Sequence, residues 1–222
     1  TRPSRGRPAH RRAACGAAGF TPPGSPPYQP PGLVEDAYSA LARTERWWLD
    51  WSGRCRYTGA YRDEVLRSLI VLKALTDRQT GAVLAAPTTS LPEDIGGERN
   101  WDYRYTWLRD SVLALNALLA GGYTDEARAF ADCVFRATAG HPEQMQIMYG
   151  IAGERRLAEY ELDHLPGYEG SRPVRVGNAA AGQFQLDVYG EAFGVAAAVA
   201  GHSGRYSDRQ WRQLRKLLDY LD

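Results

Sequence analysis

Two neighbouring segments of helical character constrain the fold of this chain more than any other feature. Residues 106–120, TWLRDSVLALNALLA, are predicted to form a helix that ends at Gly121 and Gly122, because glycine is a poor helix former and often follows the last turn. Thr124 is predicted to cap the next helix, DEARAFADCVFRATA, whose first turn carries Asp125 and Glu126. Two helices with so short a connection form a hairpin, which predicts a chain built from helical hairpins.

The same helical pattern recurs along the chain. Apolar side chains fall at helical spacing from Ala37 to Trp51, and a broad apolar face follows in YRDEVLRSLIVLKALT. A further helix is predicted in QFQLDVYGEAFGVAAAVA, and Ser207 is predicted to cap the last one. One short extended piece is expected at Ala82–Ala86. The predicted fold class is therefore all-α, with stacked helical hairpins or a helical toroid and no strand-rich core.

The first residues differ from the remainder in composition. Residues 1–32 are rich in Arg, Pro, Gly and Ala and include TPPGSPPYQPPG, which cannot bury enough apolar surface to fold alone. We expect a disordered or linker arm there and a folded domain over residues 33–222. Because the chain starts at Thr1 and stops at Asp222 inside an apparent helix, we also expect a truncated polypeptide.

Composition argues against several classes of protein. The net charge of +1 gives no reason to expect nucleic acid or an anionic membrane as a partner, and the chain has no run of roughly 18 apolar residues that could span a bilayer. Cys15, Cys55 and Cys133 form no metal or disulfide pattern, so free thiols, a reducing cytoplasmic location and no metal or other cofactor are expected. Phosphate-loop, zinc-hydrolase and esterase motifs are absent from the sequence.

Residues 100–110, NWDYRYTWLRD, concentrate aromatic rings and paired charges. A sugar needs a ring on which its C–H face can stack and charged groups for its hydroxyls. Arg109 only donates and Asp110 only accepts, so the pair can bind neighbouring hydroxyls. The candidate sugar-binding residues are Tyr103, Tyr105, Trp107, Arg109 and Asp110. The alternative for this stretch is a helix start in which Trp107 packs and the charges form a surface pair.

The long segment 140–182 is predicted to be irregular, and a segment of that length in a compact domain is usually functional. Its polar residues include Arg155, Arg156, Glu159, Glu161, Tyr168, Glu169, Arg172, Arg175 and Asn178. The alternative is a solvated charged loop. Asp187 and Glu191 follow at a spacing that places both carboxylates on one helix face, although this spacing is more frequent on surfaces than in catalytic pairs.

The chain resembles the glucoamylase-like glycoside hydrolases of family 15, including bacterial glucoamylases and trehalases of the actinobacterial kind. The resemblance is carried by RSLIVLKALTDRQTGAVLAAPTTSLPEDIGGERNWDYRYTWLRDS, by GGYTDEARAFA and by QIMYGIAGERRLAEYELDHLPGYEGSRPVRVGNAAAGQFQLDVYGE, and extends from about Leu33 to Gly194. It implies an (α/α)6 toroid of six helix pairs, of which residues 33–222 would form the N-terminal half. Half a toroid leaves an open apolar face, so marginal stability or aggregation is expected.

The resemblance also implies an activity, namely inverting exo-hydrolysis that releases glucose from α-linked oligo- or disaccharides. In this family YTWLRD lies at the innermost sugar subsite, so Arg109 and Asp110 would bind hydroxyls of the terminal glucose. Tyr105 and Trp107 would line the pocket, and the match extends to Tyr103, Arg175 and Asn178. Trehalose, maltooligosaccharides and dextran are not distinguished.

No catalytic residue is assigned from the resemblance. The family's general acid lies in an aromatic-Glu motif downstream of the LDVYGE helix, and its base lies nearer the C-terminus. This chain has no Trp-Glu, so both groups are expected beyond Asp222, and Glu191 is not taken as a substitute. A rival hypothesis is a non-catalytic carbohydrate-binding protein of helical hairpins, which would use Arg109 and Asp110 without turnover. A toroidal transferase or phosphorylase is a third hypothesis, by analogy of fold alone.

Overall fold

The computed structural model describes residues 36–222, apart from the side chain of Ser203, and the arm predicted at residues 1–32 lies outside that range. Six α-helices are found in it: α1 Ala37–Gly53, α2 Arg62–Ala74, α3 Leu108–Ala120, α4 Thr124–Ala137, α5 Asp187–Ser203 and α6 Asp208–Leu221. The all-α class is confirmed for these residues, while the toroid and its truncation stay predictions.

Four strands of two residues each form two antiparallel pairs in the described residues. They are β1 Thr106–Trp107 with β2 Met148–Tyr149, and β3 Tyr160–Glu161 with β4 Arg175–Val176. The packing described below belongs to residues Thr44–Asp222, which form one compact unit.

Helices α3, α4 and α5 pack together as the centre of the core. Leu115 and Leu118 of α3 and Phe130 of α4 are almost completely buried. Helix α5 approaches α3 at Gly194, where an added Cβ would come within 2.9 Å of a methyl group of Val112. Helix α3 thus has one buried side, while Leu113 on its other side and Arg109 and Asp110 in its first turn stay exposed.

Two predicted helix starts are wrong. Helix α4 begins with Thr124 itself, and Tyr123 occupies the cap position without a side-chain cap bond. The Tyr123 ring is buried and stacks on Trp51 at a centroid distance of 4.1 Å, so tertiary packing rather than a capping hydroxyl positions this end. Helix α3 begins at Leu108 rather than at 106, because Thr106 and Trp107 pair with β2.

The cap predicted for the last helix is confirmed. The Ser207 hydroxyl accepts a hydrogen bond of 3.3 Å from the backbone N–H of Gln210. The Gln210 side chain in turn accepts one of 2.9 Å from the backbone N–H of Ser207. This reciprocal arrangement satisfies two of the N–H groups that a helix start leaves without partners.

The chain leading into α3 is extended. Ala82–Ala86 forms no strand, but it donates two backbone hydrogen bonds of 2.9 and 3.0 Å to the carbonyls of Tyr105 and Tyr103. The carbonyl of Trp101 accepts a third, of 2.9 Å, from Ser90. Alternate side chains of an extended backbone point to the same side, so Trp101 and Tyr103 share one face of this segment.

Two sequence predictions concern cysteines and membranes. Cys55 and Cys133 are free thiols, as predicted, and Cys15 lies outside the described residues. Between residues 36 and 222, none of the helices combines the length and apolar character that crossing a membrane requires. Over the same range no three His, Cys, Asp or Glu side chains gather as metal ligands would.

Candidate functional site

A cavity of about 550 Å³ lies between the extended segment before α3 and the loop that leads into α5. Its volume falls in the range of roughly 300–1,000 Å³ that small-molecule sites occupy. The residues that line it are Trp101, Tyr103, Trp107, Arg109, Ile147, Glu159, Asn178, Ala179, Ala180, Gln183 and Gln185. The wall thus combines three aromatic rings with a cation, a carboxylate and amides.

Arg109 and Asp110 lie in the first turn of α3 with more than half of each side chain exposed. Their only ion pair in the described part of the chain is the one with each other, at 3.8 Å between Arg109 Nε and Asp110 Oδ1. Arg109 borders the cavity, whereas Asp110 borders a neighbouring, mainly apolar cavity of about 390 Å³. Trp107 borders both cavities. The predicted charged pair therefore keeps most of its hydrogen-bonding capacity open.

The three aromatic candidates around Trp107 differ in their exposure to the cavity. The Trp107 ring lies 5.8 Å from the Tyr103 ring and 6.3 Å from the Tyr105 ring. Tyr103 borders the cavity and donates to Glu93 at 3.4 Å; burial and the Glu93 charge raise the pKa of Tyr103. The Tyr105 hydroxyl donates instead to Asp102 at 3.2 Å. Tyr105 supports Trp107 without forming part of the cavity wall.

Asp102 is a buried carboxylate whose importance the sequence did not reveal. It accepts hydrogen bonds of 2.8–3.2 Å from Arg104 and Tyr105, and one of 3.1 Å from the backbone N–H of Gly177. Burial alone would raise the pKa of Asp102, but the hydrogen bonds from Arg104 and Gly177 hold the pKa below its ordinary value. Asp102 thereby joins the extended segment to the loop before α5.

Gly177 is required where Asp102 reaches it. Its backbone has a φ of +84°, and an added Cβ would lie 1.9 Å from the carbonyl oxygen of Ala158. Any other residue would therefore push the loop away from the Asp102 carboxylate.

Asn178 borders the cavity, but its amide is already bonded. Its Nδ2 donates to the backbone carbonyl of Asp102 at 3.0 Å, and its Oδ1 accepts from the N–H of Ala180 at 3.0 Å. The second bond caps the short 3-10 helix Ala179–Gly182. Asn178 therefore shapes the wall of the cavity and has little capacity left for a ligand.

Arg175, another predicted site residue, does not border the cavity. Its guanidinium lies 3.4 Å from Glu159 and 3.3 Å from Glu161, and it covers the Trp101 ring at 4.7 Å from the ring centroid. Sequence reasoning missed Trp101 as a site residue, although its alternation with Tyr103 was a usable signal. Arg175 touches the wall of the cavity from behind.

Asp187 and Glu191 lie one turn apart at the start of α5. Burial raises the pKa of Glu191, and the negative charges of Asp187 and Asp110 raise it further, while Arg109 acts in the opposite direction. Helix α5 thus brings the Glu191 carboxyl group, whose charged form is disfavoured there, towards the exposed first turn of α3.

Comparison with known proteins identifies the relatives of this chain. The family model for glycosyl hydrolases family 15 matches residues 59–222. The trehalase of Mycolicibacterium smegmatis is 42% identical over 194 residues, which cover 85% of this chain and 29% of that protein. The trehalase of Thermoplasma acidophilum is 39% identical over 186 residues, or 84% of this chain and 32% of that protein.

A third relative, the trehalase of Mycobacterium tuberculosis, is 44% identical over 167 residues, which cover 73% of this chain and 25% of that protein. The chain thus spans about a third or less of the length of these curated relatives. No solved structure matches it.

The family match contains every part of the site described above. It starts before α2 and runs through α6, and so includes the cavity wall, the exposed Arg109–Asp110 pair and the buried Asp102. The match extends over most of the chain, and the resemblance seen in the sequence is thereby confirmed. This chain belongs to family 15 of the glycosyl hydrolases.

Proposed function

We propose that this chain supplies the sugar-binding part of a family 15 α-glucosidase, and that its cavity holds the terminal glucose of an α-linked substrate. One observation carries the proposal: the Tyr103 and Trp107 rings and the open guanidinium of Arg109 border the same cavity. A core would have satisfied that guanidinium internally, and a plain surface would not place two rings beside it.

The chemistry of the wall suits a hexose. The C–H face of the sugar stacks on Trp107, and hydroxyls on its edge receive hydrogen bonds from Arg109. Asp110 lies beside Arg109 and is more than half exposed, but it borders the neighbouring cavity, so it accepts from a hydroxyl only where the sugar extends past Trp107, which borders both cavities. Tyr105 and Asp102 hold the aromatic side of the site from behind.

Hydrolysis with inversion requires a carboxylic acid and a carboxylate roughly 6.5–9.5 Å apart, so that a water molecule fits between them. The carboxylate in the cavity wall is Glu159, which is bound by Arg175 and by the N–H of Ala179. We therefore assign it neither role. The proposal places both catalytic groups in the part of the family's length that this chain does not span, so the chain binds sugar without hydrolysing it.

Trehalose is the substrate that we propose first, because the relatives compared above carry the name trehalase. Maltose is the alternative among α-linked disaccharides. The two share the terminal glucose that Arg109 would bind, so binding of that glucose alone does not separate them.

The test is calorimetric titration of the 222-residue chain with glucose, trehalose and maltose. Arg109→Ala is expected to weaken binding of all three by about 10–100-fold, because it removes a hydrogen bond from a charged donor. The matched control is Arg128→Ala, which removes an exposed arginine of α4 outside the cavity wall. The urea midpoint of both variants should equal that of the parent chain.

Three results would contradict the proposal. The first is an absence of saturable binding of any of the three sugars by the parent chain. The second is a loss in Arg128→Ala as large as that in Arg109→Ala. The third concerns the catalytic assignment alone: release of glucose from trehalose or maltose by the purified chain would show that residues within it carry out the chemistry.

A further inference from the structure

We infer that Trp101, with its ring held by Arg175, is the stacking platform for a second sugar ring in the same cavity. Arg175 is then a positioning residue of that platform. This inference rests on the proposed function and refines it, because a second platform makes the site selective for an α-linked disaccharide over free glucose. The ligand class is a neutral disaccharide of hexoses.

The position of Trp101 supports a separate sugar ring. Trp101 and Tyr103 lie on the same side of an extended segment and both border the cavity. Because an extended chain rises about 3.3 Å per residue, the two positions are about 7 Å apart. Tyr103 belongs to the aromatic group around Trp107, whereas Trp101 makes no ring contact within residues 36–222 and packs on Arg175 instead. The cavity therefore offers two independent aromatic surfaces.

Arg175 covers the Trp101 ring from outside the cavity. The guanidinium carbon lies 4.7 Å from the ring centroid, and Arg175 is not part of the cavity wall. The side of the ring that Arg175 leaves open is thus the one that meets the cavity. A ring fixed before the ligand arrives loses little freedom on binding.

Arg175 is itself held at several points. Its guanidinium interacts with Glu159 at 3.4 Å and Glu161 at 3.3 Å, and donates to the carbonyl of Glu98 at 2.8 Å. Its backbone N–H donates to the Ser90 hydroxyl at 2.7 Å. With its charge compensated by two carboxylates, Arg175 does not bind ligand as Arg109 does. Its remaining role is to fix the Trp101 ring.

Polar groups share the cavity wall with Trp101. Glu159 borders the cavity, and its second carboxylate oxygen accepts from the N–H of Ala179 at 3.1 Å. The amides of Gln183 and Gln185 border it too and bond to each other at 3.1 Å. Both Glu159 oxygens already have partners, so Gln183 Nε2 and Gln185 Oε1 are the groups left to bond sugar hydroxyls beside the aromatic face.

The experiment compares trehalose and glucose affinities of the 222-residue chain by calorimetry. Trp101→Ala is expected to weaken trehalose binding by about tenfold and to change glucose binding by less than about twofold. Trp101→Phe keeps a ring and should retain most of the trehalose affinity. Arg175→Lys keeps the charge between Glu159 and Glu161 but loses the planar group over the ring, so it should reduce the trehalose-to-glucose affinity ratio by about threefold.

The trehalose-to-glucose affinity ratio is the deciding quantity, because a change that merely loosens the fold weakens both sugars alike. Equal losses for the two sugars in Trp101→Ala and Arg175→Lys would overturn the inference. So would a parent chain that binds trehalose no more tightly than glucose. A parent chain that binds neither sugar refutes the proposed function itself, whereas glucose binding with an unchanged ratio in the variants refutes only the second platform.

Discussion

The cluster around Glu126 and the rim of the cavity both contain tryptophan, acidic and basic residues. The two regions differ in how many of their polar groups are bonded within the protein. Glu126 accepts a hydrogen bond from the indole N–H of Trp51 at 2.7 Å and pairs with Lys73 at 3.2 Å and Arg54 at 3.4 Å. Its side chain is only 10% exposed. Trp51 is stacked on Tyr123. Every polar group of this cluster that joins α1, α2 and α4 has a partner within the chain.

At the rim, Arg109 and Asp110 have one ion pair at 3.8 Å and are more than half exposed. Tryptophans, acids and bases therefore do not by themselves distinguish a binding site from a structural cluster. The feature that distinguishes them is unsatisfied hydrogen-bonding capacity, because a group whose bonds are all made within the protein has none left for a ligand. Asp102 is instructive, since it lies within the site region but is bonded as completely as Glu126.

The largest effect is expected from Asp102→Ala. The change leaves the N–H of Gly177 and the hydroxyl of Tyr105 without their buried acceptor, and should lower the free energy of unfolding by about 3 kcal/mol. Urea denaturation at pH 7 measures it. Sugar binding should weaken as well, because the loop at Asn178 loses its attachment. Parental stability in this variant would show that the hydrogen bonds of Asp102 do not stabilise the fold. Asp102 would then resemble the exposed Arg109–Asp110 pair and not Glu126.

Glu126→Ala should have a smaller effect on stability, of about 2 kcal/mol, because Lys73 and Arg54 can turn towards water while the Trp51 indole N–H cannot. Sugar affinity per folded molecule should be unchanged. Glu126→Gln retains an acceptor for Trp51 and is the matched control, with a loss between zero and that of the alanine variant. Loss of sugar binding by folded Glu126→Ala would remove the distinction between the two regions.

The helical elements were predictable because their information is local. Periodic apolar residues and the pair Gly121–Gly122 predicted α3 and α4. The ends were less predictable, since Tyr123 holds the cap position before α4 through its packing on Trp51 and not through a capping hydroxyl. The start of α3 was shifted by pairing with Met148, which is distant in the sequence.

The residues of the candidate site can likewise be separated into those that the sequence predicted and those that it did not. That Tyr103, Trp107 and Arg109 lie together at one cavity could be predicted, because the motif that carries them is continuous. The role of Asp102 could not, because it depends on a partner far along the chain. Alternation with Tyr103 was a usable signal for Trp101, but the contact of its ring with Arg175 was not predictable from local sequence. The bond from Gly177 to Asp102 spans 75 positions. Sequence spacing has no means of indicating which acid in NWDYRYTWLRD becomes buried.

The pKa values of Glu126 and Glu191 are shifted in opposite directions, so the two carboxyl groups affect stability differently as the pH changes. For Glu126, burial acts to raise the pKa, but bonds from Trp51 and Lys73 prevail and hold it below the ordinary 4.5. Its stabilisation is therefore present above pH 4.5 and is lost as the pH falls. For Glu191 the folded-state pKa is raised, first by burial and then by Asp187. The contribution of Glu191 to the free energy of unfolding is therefore present below pH 4.5 and is lost as the pH rises through its raised folded-state pKa.

Glu191→Gln should therefore stabilise the protein slightly, by about 0.5 kcal/mol at pH 7, because it removes a charge that Asp187 and Asp110 repel. The gain should fade towards pH 4, where the glutamate is protonated in the parent chain as well. Paired urea titrations at pH 7 and pH 4 measure it, with Asp132→Asn, an exposed acid of α4, as the control. A loss of stability at pH 7 would mean that Arg109 outweighs the two acids. Glu191 would then be a structural carboxylate like Glu126. Its ion pair with Arg109 would occupy the guanidinium that the proposal leaves free for a sugar.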